Sequence, residues 1–168
     1  MIEDELYLSG EYKEIVGDIL YNEVIVKMKN YLHHHYTNRY SHSLGVSYFS
    51  YRICKKLKWD YVSAARAGML HDLFSPEDVR SLLVHPKIAL SNAKKIYEIN
   101  KKEEDIILKH MWPLTIAFPK YKESYVVTLI DKCCSFVEAV LPVVNKLNLK
   151  KAYRYSYIFL CCFALKVI

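Results

Sequence analysis

The stretch AARAGMLHDL, residues 64–73, places a histidine and an aspartate side by side at the end of a predicted helix. Asp60 is a typical helix N-cap, so the sequence predicts a helix from Asp60 to about Asp72. A buried, charged carboxylate is costly unless a hydrogen bond, a counter-charge or a cation compensates it. His71 and Asp72 are therefore either an ordinary helix end with a satisfied core histidine, or two members of a polar site. The rest of the chain decides between these interpretations.

The composition is typical of a globular, helical protein. The chain has 168 residues, of which 52% are hydrophobic and 25% charged, so it is long enough for a sizeable core. Glycine is scarce, at four residues, and long stretches without glycine or proline favour helices over a turn-rich β fold. We therefore predict an all-α fold in which residues 1–168 form a single helical domain.

Hydrophobic periodicity and capping signals divide this domain into helices joined by short connections. The predicted helices cover residues 12–31 (with a break near Gly17 or Asn22), 41–57, 60–72, a short one opened by Ser75 and Pro76, 86–100, 101–111, 124–141 and 145–168. A proline-bounded loop is predicted at residues 112–123.

The charge pattern favours a small anionic partner. The formal net charge is +6, which suits a phosphorylated ligand. The lysines are scattered, and neither a long basic run nor a nucleic-acid motif accompanies them. The sequence therefore predicts a small-molecule phosphorylated substrate and no specific nucleic acid.

The cysteine pattern and the N-terminus predict a cytoplasmic protein. The five cysteines include two adjacent pairs and no CxxC motif, which is neither a disulfide framework nor a zinc-ribbon pattern. The first ten residues, MIEDELYLSG, are acidic and polar and do not resemble a signal peptide.

The C-terminal stretch YIFLCCFALKVI is strongly apolar. It has only about a dozen residues, whereas roughly 20 are needed to span a bilayer, so no membrane association is predicted. It is either a buried terminal helix or an association surface, and residues 153–168 are our predicted contact for a homodimer.

Six polar residues fall on the apolar faces of five predicted segments, at helical spacing from apolar neighbours. They are His42, His71, Asp72, His85, His110 and Asp131. One inward histidine is usually a hydrogen-bonded core residue, but six inward polar residues are hard to compensate without a cation. Imidazole and carboxylate are ligands of Zn, Fe, Mn and similar metals, and helix-borne ligands of this kind can build a two-metal centre.

The order and setting of these residues resemble the HD superfamily of metal-dependent phosphohydrolases. The matching motifs are RYSHSLGV at the start of one helix, AARAGMLHDL at the end of the next, and a late TLIDK. The resemblance covers about residues 38–140 and implies an HD-type helical bundle.

The resemblance also implies a ligand set. His42, His71 and Asp131 would serve one metal, His85 and His110 would serve a second, and Asp72 would bridge the two. Divalent transition metals are implied, with Fe or Mn favoured and Zn, Co or Ni as alternatives.

Within the family, the sequence departs from the cyclic-dinucleotide phosphodiesterases. It has no GYP signature, and His110 lies in KHMW, without an adjacent second histidine. The layout is more similar to the diadenosine-tetraphosphate hydrolase branch. The predicted function is hydrolysis of a phosphoester or phosphoanhydride of a nucleotide or related small molecule by a metal-activated hydroxide. A di-iron oxygenase of the same fold and a non-catalytic, metal-stabilised binding module are the alternatives.

Arg39 and Lys132 are further catalytic candidates beside Asp72. Arg39 precedes His42 by three residues, and a planar guanidinium suits phosphate oxygens. Lys132 follows Asp131 and is the weaker candidate. In the simpler interpretation, Arg39 pairs near a helix start and Lys132 reaches solvent.

Two other groups of polar residues lie near the predicted site. His33, His34 and His35 cannot all face one site from a helix, so we expect a tract that faces solvent or supports the site, with one histidine at its mouth. Glu77 and Asp78 are either a general base or complements to the N-terminal dipole of a short helix.

Overall fold

The computed structural model describes residues 10–33, 37–78 and 83–146, with side chains as far as Val140. Seven α-helices occur in this part of the chain: α1 Gly10–Leu20, α2 Glu23–Val26, α3 Arg39–Lys56, α4 Tyr61–Leu70, α5 His85–Lys94, α6 Lys101–Lys109 and α7 Lys122–Lys146. The only strands among these residues are β1 Leu32–His33 and β2 Thr37–Asn38, which pair antiparallel, and two 3-10 turns cover Lys27–Asn30 and Pro76–Asp78. The predicted all-α class is confirmed.

Side-chain caps fix where three of the long helices begin. The carboxylate of Asp60 accepts from the Ser63 backbone amide at 3.0 Å, which confirms the predicted N-cap of α4. Asn38 caps α3 in the same way, so α3 begins two residues earlier than predicted. Asn100 forms a capping box with Glu103 at the start of α6.

The N-terminal helix is broken at the second of the two predicted positions. The Asn22 side chain accepts from the Val24 amide and starts α2, whereas α1 continues through Gly17. The predicted helix to residue 31 was wrong beyond Val26, because the chain tightens there into the 3-10 turn. This turn leads into β1.

Two later helices end earlier than predicted, and one ends later. α5 ends at Lys94 because the amides of Ile96 and Tyr97 both turn back to the Ala93 carbonyl. α6 ends at Lys109. α7 was predicted to end at residue 141, before the proline, but it continues to Lys146.

The pairing of α3 with α4 organises the core around the HD segment. Ala64, Ala67 and Gly68 are small, which allows the two helices to approach closely. A Cβ atom added at Gly68 would lie 2.8 Å from the Ser47 Cα atom. Ser47 also donates a hydrogen bond to the Ala65 carbonyl at 2.6 Å. This contact fixes α3, which carries His42, against the helix that ends in His71.

The outer helices complete the bundle around this pair. α7 packs on α3 and α6, α6 packs on α4, and α5 packs on α6. α1 covers the other side of α4, where Tyr12 is fully buried and its hydroxyl lies 2.7 Å from the Ser47 hydroxyl. The apolar core thus surrounds the inner ends of α3, α4 and α6.

No helix in the described ranges is long and apolar enough to cross a bilayer. The apolar segment 153–168, with its predicted homodimer contact, lies outside the described residues.

Candidate metal centre

The six predicted ligand residues meet at one place in the fold. α3 supplies His42, the end of α4 supplies His71 and Asp72, and the other three come from the start of α5, the end of α6 and the middle of α7. Each of the six is at most 6% exposed. The closest approaches are His42 Nε2 to Asp131 Oδ1 at 3.1 Å, His71 Nε2 to Asp131 Oδ1 and to Asp72 Oδ2 at 3.7 Å each, and His85 Nε2 and His110 Nε2 to Asp72 Oδ1 at 3.3 and 3.7 Å.

Hydrogen bonds at Nδ1 orient three of the imidazole rings. His71 Nδ1 donates to the Gly68 carbonyl and His110 Nδ1 to the Ile107 carbonyl, both at 2.8 Å. His42 Nδ1 donates to the carboxylate of Glu138 at 3.1 Å. A neutral imidazole that donates from Nδ1 keeps a lone pair on Nε2, so the rings of His71 and His110 can present such lone pairs beside Asp72.

The arrangement fits a divalent cation. Lone pairs and carboxylate oxygens repel one another in a low-dielectric interior unless a positive charge lies between them. Among the described residues, His71 Nε2 and Asp72 Oδ1 are buried without a hydrogen bond. These are the atoms that would ligate a metal, and the mixed imidazole–carboxylate set is the one that Fe, Mn and Zn accept.

The ionisation states also suit metal binding. Burial raises the pKa of Asp72, but the neighbouring histidines, His71 first, hold it well below its usual range. Burial also raises the pKa of Asp131, but the hydrogen bond with His42 and the charge of His71 outweigh burial and hold this pKa well below its usual range. Burial and the nearby charge of His71 lower the pKa of His110 to about 3. Both aspartates are therefore anions and His110 is neutral at pH 7, as metal ligands must be.

His42 carries the compensating proton in the metal-free protein. Burial lowers its pKa, but hydrogen bonds with Asp131 and Glu138 outweigh burial and raise the pKa to about 10. The imidazolium neutralises part of the carboxylate charge. A bound divalent ion would replace that proton on Nε2.

Three groups of ligand atoms lie close enough to share an ion, with members within 4.8 Å of one another. The groups are His42, His71 and Asp131; His71, Asp72 and His110; and His33, His42 and Asp72. The first is the set predicted for one metal. The second adds His110 beside Asp72, where His85 Nε2 also lies, 2.8 Å from His110 Nε2.

His33 lies closer to the centre than the sequence indicated. It is at the end of β1, its ring centroid is 4.0 Å from that of His42, and its Nε2 atom is 3.8 Å from Glu138 Oε2. The pairing of β1 with β2, rather than any helical spacing, puts it there. His34 and His35 lie outside the described residues.

Glu138 is a member of the site that the sequence analysis missed. Its side chain is fully buried, and it binds the far side of the His42 ring. It follows Asp131 by seven residues, which is two helical turns on the same face of α7. That spacing is the signal that could have identified it.

Arg39 is engaged within the protein, but its Nε donor has no hydrogen-bond partner among the described residues. Its guanidinium donates to the Phe74 carbonyl and lies 3.8 Å from the centroid of the Phe74 ring. Arg39 is 6% exposed, and its Nε atom is buried without a hydrogen-bond partner among the described residues. The Nε donor is therefore one group that could make the predicted phosphate contact.

Lys132 binds groups of the protein rather than facing solvent alone. Its ammonium group donates to Asp131 Oδ2 at 2.7 Å and to the His110 carbonyl at 2.9 Å. Asp78 is exposed and accepts from the Ser75 amide at 3.0 Å, at the start of the short 3-10 turn Pro76–Asp78. Glu77 is exposed on the same turn.

A family model matches the part of the chain that forms the candidate metal centre. The HD domain family model matches residues 39–135, more than half of the chain and a span that contains all six ligand candidates. Searches of curated proteins and of solved structures found no significant match. HD domains bind divalent metals, and the family consists mostly of metal-dependent phosphohydrolases. With its histidines and aspartates gathered from five segments into one buried centre, the chain belongs to the HD domain family.

Proposed function

We propose that this chain is a metal-dependent phosphohydrolase that cleaves a phosphoester or phosphoanhydride bond of a nucleotide or related small molecule. One observation carries the proposal: histidine Nε2 atoms from α3 to α6 converge on the two buried carboxylates of Asp72 and Asp131. Burying this set of polar atoms in an apolar core is costly, and a bound cation would compensate that cost.

The residues present would hold two divalent ions. His42, His71 and Asp131 would hold one, His85 and His110 the other, with Asp72 between them. Fe or Mn suits the ligand set, with Zn, Co or Ni as alternatives. Two such ions, when bound, lower the pKa of a water molecule and stabilise charge on phosphoryl oxygens.

The surrounding residues fix the orientation of the ligand candidates. Glu138 and the carbonyls of Gly68 and Ile107 hold the imidazoles in their ligating tautomer. Lys132 holds the outer oxygen of Asp131, which leaves Oδ1 facing the histidines. In this proposal Lys132 is thus a positioning residue rather than a phosphate ligand.

Arg39 is our candidate for phosphate binding. Burial lowers the pKa of Arg39, and the negative charge of Asp72 offsets part of that effect. The guanidinium therefore interacts electrostatically with a residue of the centre. Its free Nε donor would bind a phosphoryl oxygen, an interaction that is stronger for charged partners than for neutral ones.

The chemical class of substrate follows from sequence and surroundings. Because the sequence lacks GYP and a second histidine beside His110, we place dinucleoside polyphosphates such as diadenosine tetraphosphate ahead of cyclic dinucleotides.

The test is hydrolysis by defined metal forms of the full chain. Protein stripped with EDTA and reloaded with Mn or Fe(II) is incubated with mononucleotides, cyclic nucleotides and dinucleoside polyphosphates, and the products are identified by mass spectrometry. We expect hydrolysis only with metal, its loss in Asp72→Ala, and no change in the surface variant Glu98→Gln. Fully loaded protein that hydrolyses nothing in the panel contradicts the proposal. Oxygen uptake by the iron form without phosphate release would identify an oxygenase instead.

A further inference from the structure

A cavity of about 360 Å³ adjoins the loop that follows Asp72. Leu73 and Phe74 of this loop form one wall. Met28 of the 3-10 turn after α2, Tyr31 just after that turn and Ile96 just beyond α5 contribute to the others. Of the eleven residues that line the cavity, six are apolar, and two of these six, Tyr31 and Phe74, are aromatic.

The cavity shares its aromatic wall with the metal centre. The Phe74 ring centroid lies 5.0 Å from that of His85, which is a candidate ligand. The Arg39 guanidinium packs 3.8 Å from the Phe74 ring centroid and 5.7 Å from that of Tyr31. Arg39 thus lies against both aromatic walls and within the field of Asp72.

Charged groups at the cavity favour an anionic ligand. Lys27 and Lys95 line it together with a single carboxylate, that of Asp78. Lys95 is held in place by a 3.0 Å hydrogen bond to Asn92 Oδ1, and the Asn92 amide donates to the Leu73 carbonyl. The cavity therefore combines apolar and aromatic walls with two lysine side chains.

A nucleotide has the matching chemistry. Its base is a flat, mostly apolar ring that stacks on aromatic side chains, and its phosphates are anions that lysine and arginine bind. Cavities of this volume are typical of small-ligand sites. Arg39 also favours an anionic ligand beside the cavity, because its Nε donor is buried and has no hydrogen-bond partner in the described part of the chain.

We propose that this cavity binds the base of the nucleotide, with the phosphates passing Arg39 toward the metal centre. The inference rests on the proposed phosphohydrolase function for the direction of the phosphates. Base binding itself requires only the cavity. It is therefore measurable without turnover.

The first experiment compares ligands with and without a base. Calorimetry on the metal-free full chain measures dissociation constants for AMP, GMP and ribose 5-phosphate. Because base–aromatic stacking adds roughly 1–3 kcal/mol, we expect at least one nucleotide to bind about tenfold or more tightly than ribose 5-phosphate. Equal affinity for all three ligands overturns the inference. Hydrolysis without base preference would support the proposed function while overturning this cavity as the base site.

Two variants locate the binding. Ile96→Glu places a charge among the apolar walls and should abolish the preference for nucleotides over ribose 5-phosphate. Lys95→Ala should weaken nucleotide binding severalfold, whereas the neighbouring Lys94→Ala, which pairs with Glu104 and does not line the cavity, should not. Circular dichroism checks that each variant is folded. Lys95→Ala and Lys94→Ala with identical affinities contradict the inference.

Photolabelling gives an independent readout that does not depend on any variant. Irradiation of the protein with 8-azido-AMP, followed by peptide mapping, should label residues 24–31 or 73–78. Protection by excess AMP but not by ribose 5-phosphate is expected. Labelling confined to other segments overturns the assignment.

Discussion

Both carboxylate oxygens of Glu138 lie 3.1 Å from His42 Nδ1, and Nε2 of the same ring faces Asp131 at 3.1 Å. The Glu138 side chain is fully buried, and this is its closest contact with a basic group, ahead of His33 Nε2 at 3.8 Å. A carboxylate behind a ligating imidazole fixes the tautomer and raises the basicity of the ligand. Glu138 thereby connects the middle of α7 to the metal-facing atom of α3.

The first prediction concerns Glu138→Gln. Loss of this negative charge should lower metal affinity about 10- to 100-fold, the usual effect of removing the partner of a ligating histidine. Competition with a chromogenic chelator measures the affinity. Glu98→Gln removes the same charge from an exposed position and should leave the affinity unchanged. Equal affinity for the two variants would show that Glu138 does not support the site.

The second prediction concerns the close approach of α3 and α4. A methyl group at Gly68 would meet the backbone of Ser47 at 2.8 Å, so Gly68→Ala must push the helices apart and should destabilise the fold by about 1–3 kcal/mol. Metal affinity should fall as well, because the two helices carry His42 and His71. Urea denaturation and chelator competition give the two values.

Gly17 supplies the matched control for this substitution. It lies inside α1 with no atom within 4 Å of an added Cβ, so Gly17→Ala should stabilise the protein by roughly 0.5–1 kcal/mol. If Gly68→Ala were as stable as Gly17→Ala, the described helix contact would be wrong.

The third prediction concerns Asp105, which ties α6 to the start of α7. It accepts from the Ser124 hydroxyl at 2.7 Å and from the Lys120 amide at 2.8 Å, and pairs with Lys109. Burial raises the pKa of Asp105, but these contacts outweigh burial and lower it. Asp105→Asn should cost about 1–3 kcal/mol at pH 7.

The pH dependence of that cost has a definite sign. Because the pKa of Asp105 is lower in the folded state, its stabilisation is complete above the unfolded pKa of about 3.9 and is lost as the pH falls through the folded value. The difference between the wild type and Asp105→Asn should therefore persist from about pH 5 to 8 and shrink in more acidic solution. Asp18→Asn, at an exposed ion pair with Arg66, should cost about 1 kcal/mol or less. Equal costs for both variants would contradict the assigned role.

The fourth prediction concerns metal removal. Ligands from five segments meet at the centre, so metal in hundredfold excess over its dissociation constant should stabilise the fold by about 3 kcal/mol. EDTA should lower the melting temperature by about 5–10 °C in a protein of this size. Asp72→Ala should melt at the same temperature with and without EDTA. A wild-type melting curve that does not change after verified metal removal would argue against a centre that joins the helices.

The sequence allowed the inward-facing residues to be predicted, because helical spacing alone determines which face a side chain occupies. His42, His110 and Asp131 follow apolar stripes, and Asp60 marks the start of α4, the helix that leads to His71 and Asp72. Glu138 obeys the same spacing, but a glutamate far along an apolar helix resembles an ordinary surface residue until its partner on α3 is known.

Other contacts depend on chain segments that meet only in the folded protein. Arg39 binds the carbonyl of Phe74, which is 35 residues away, and His33 reaches His42 through the pairing of β1 with β2. Neither contact leaves a periodic signal in the sequence. The helix ends at Leu20 and Lys94 are likewise set by local backbone hydrogen bonds that residue preferences alone do not determine.

The metal content of the protein tests the central claim most directly. Elemental analysis of fresh full-length protein, produced with Mn or Fe supplementation and purified without chelator, should find about two transition metal ions per chain. Asp72→Ala should lose most of both, since Asp72 is the proposed bridge, whereas Glu98→Gln should keep them. One ion or none per chain in the supplemented wild type would contradict the two-metal centre, and His85 and His110 would then be core or substrate-contacting residues.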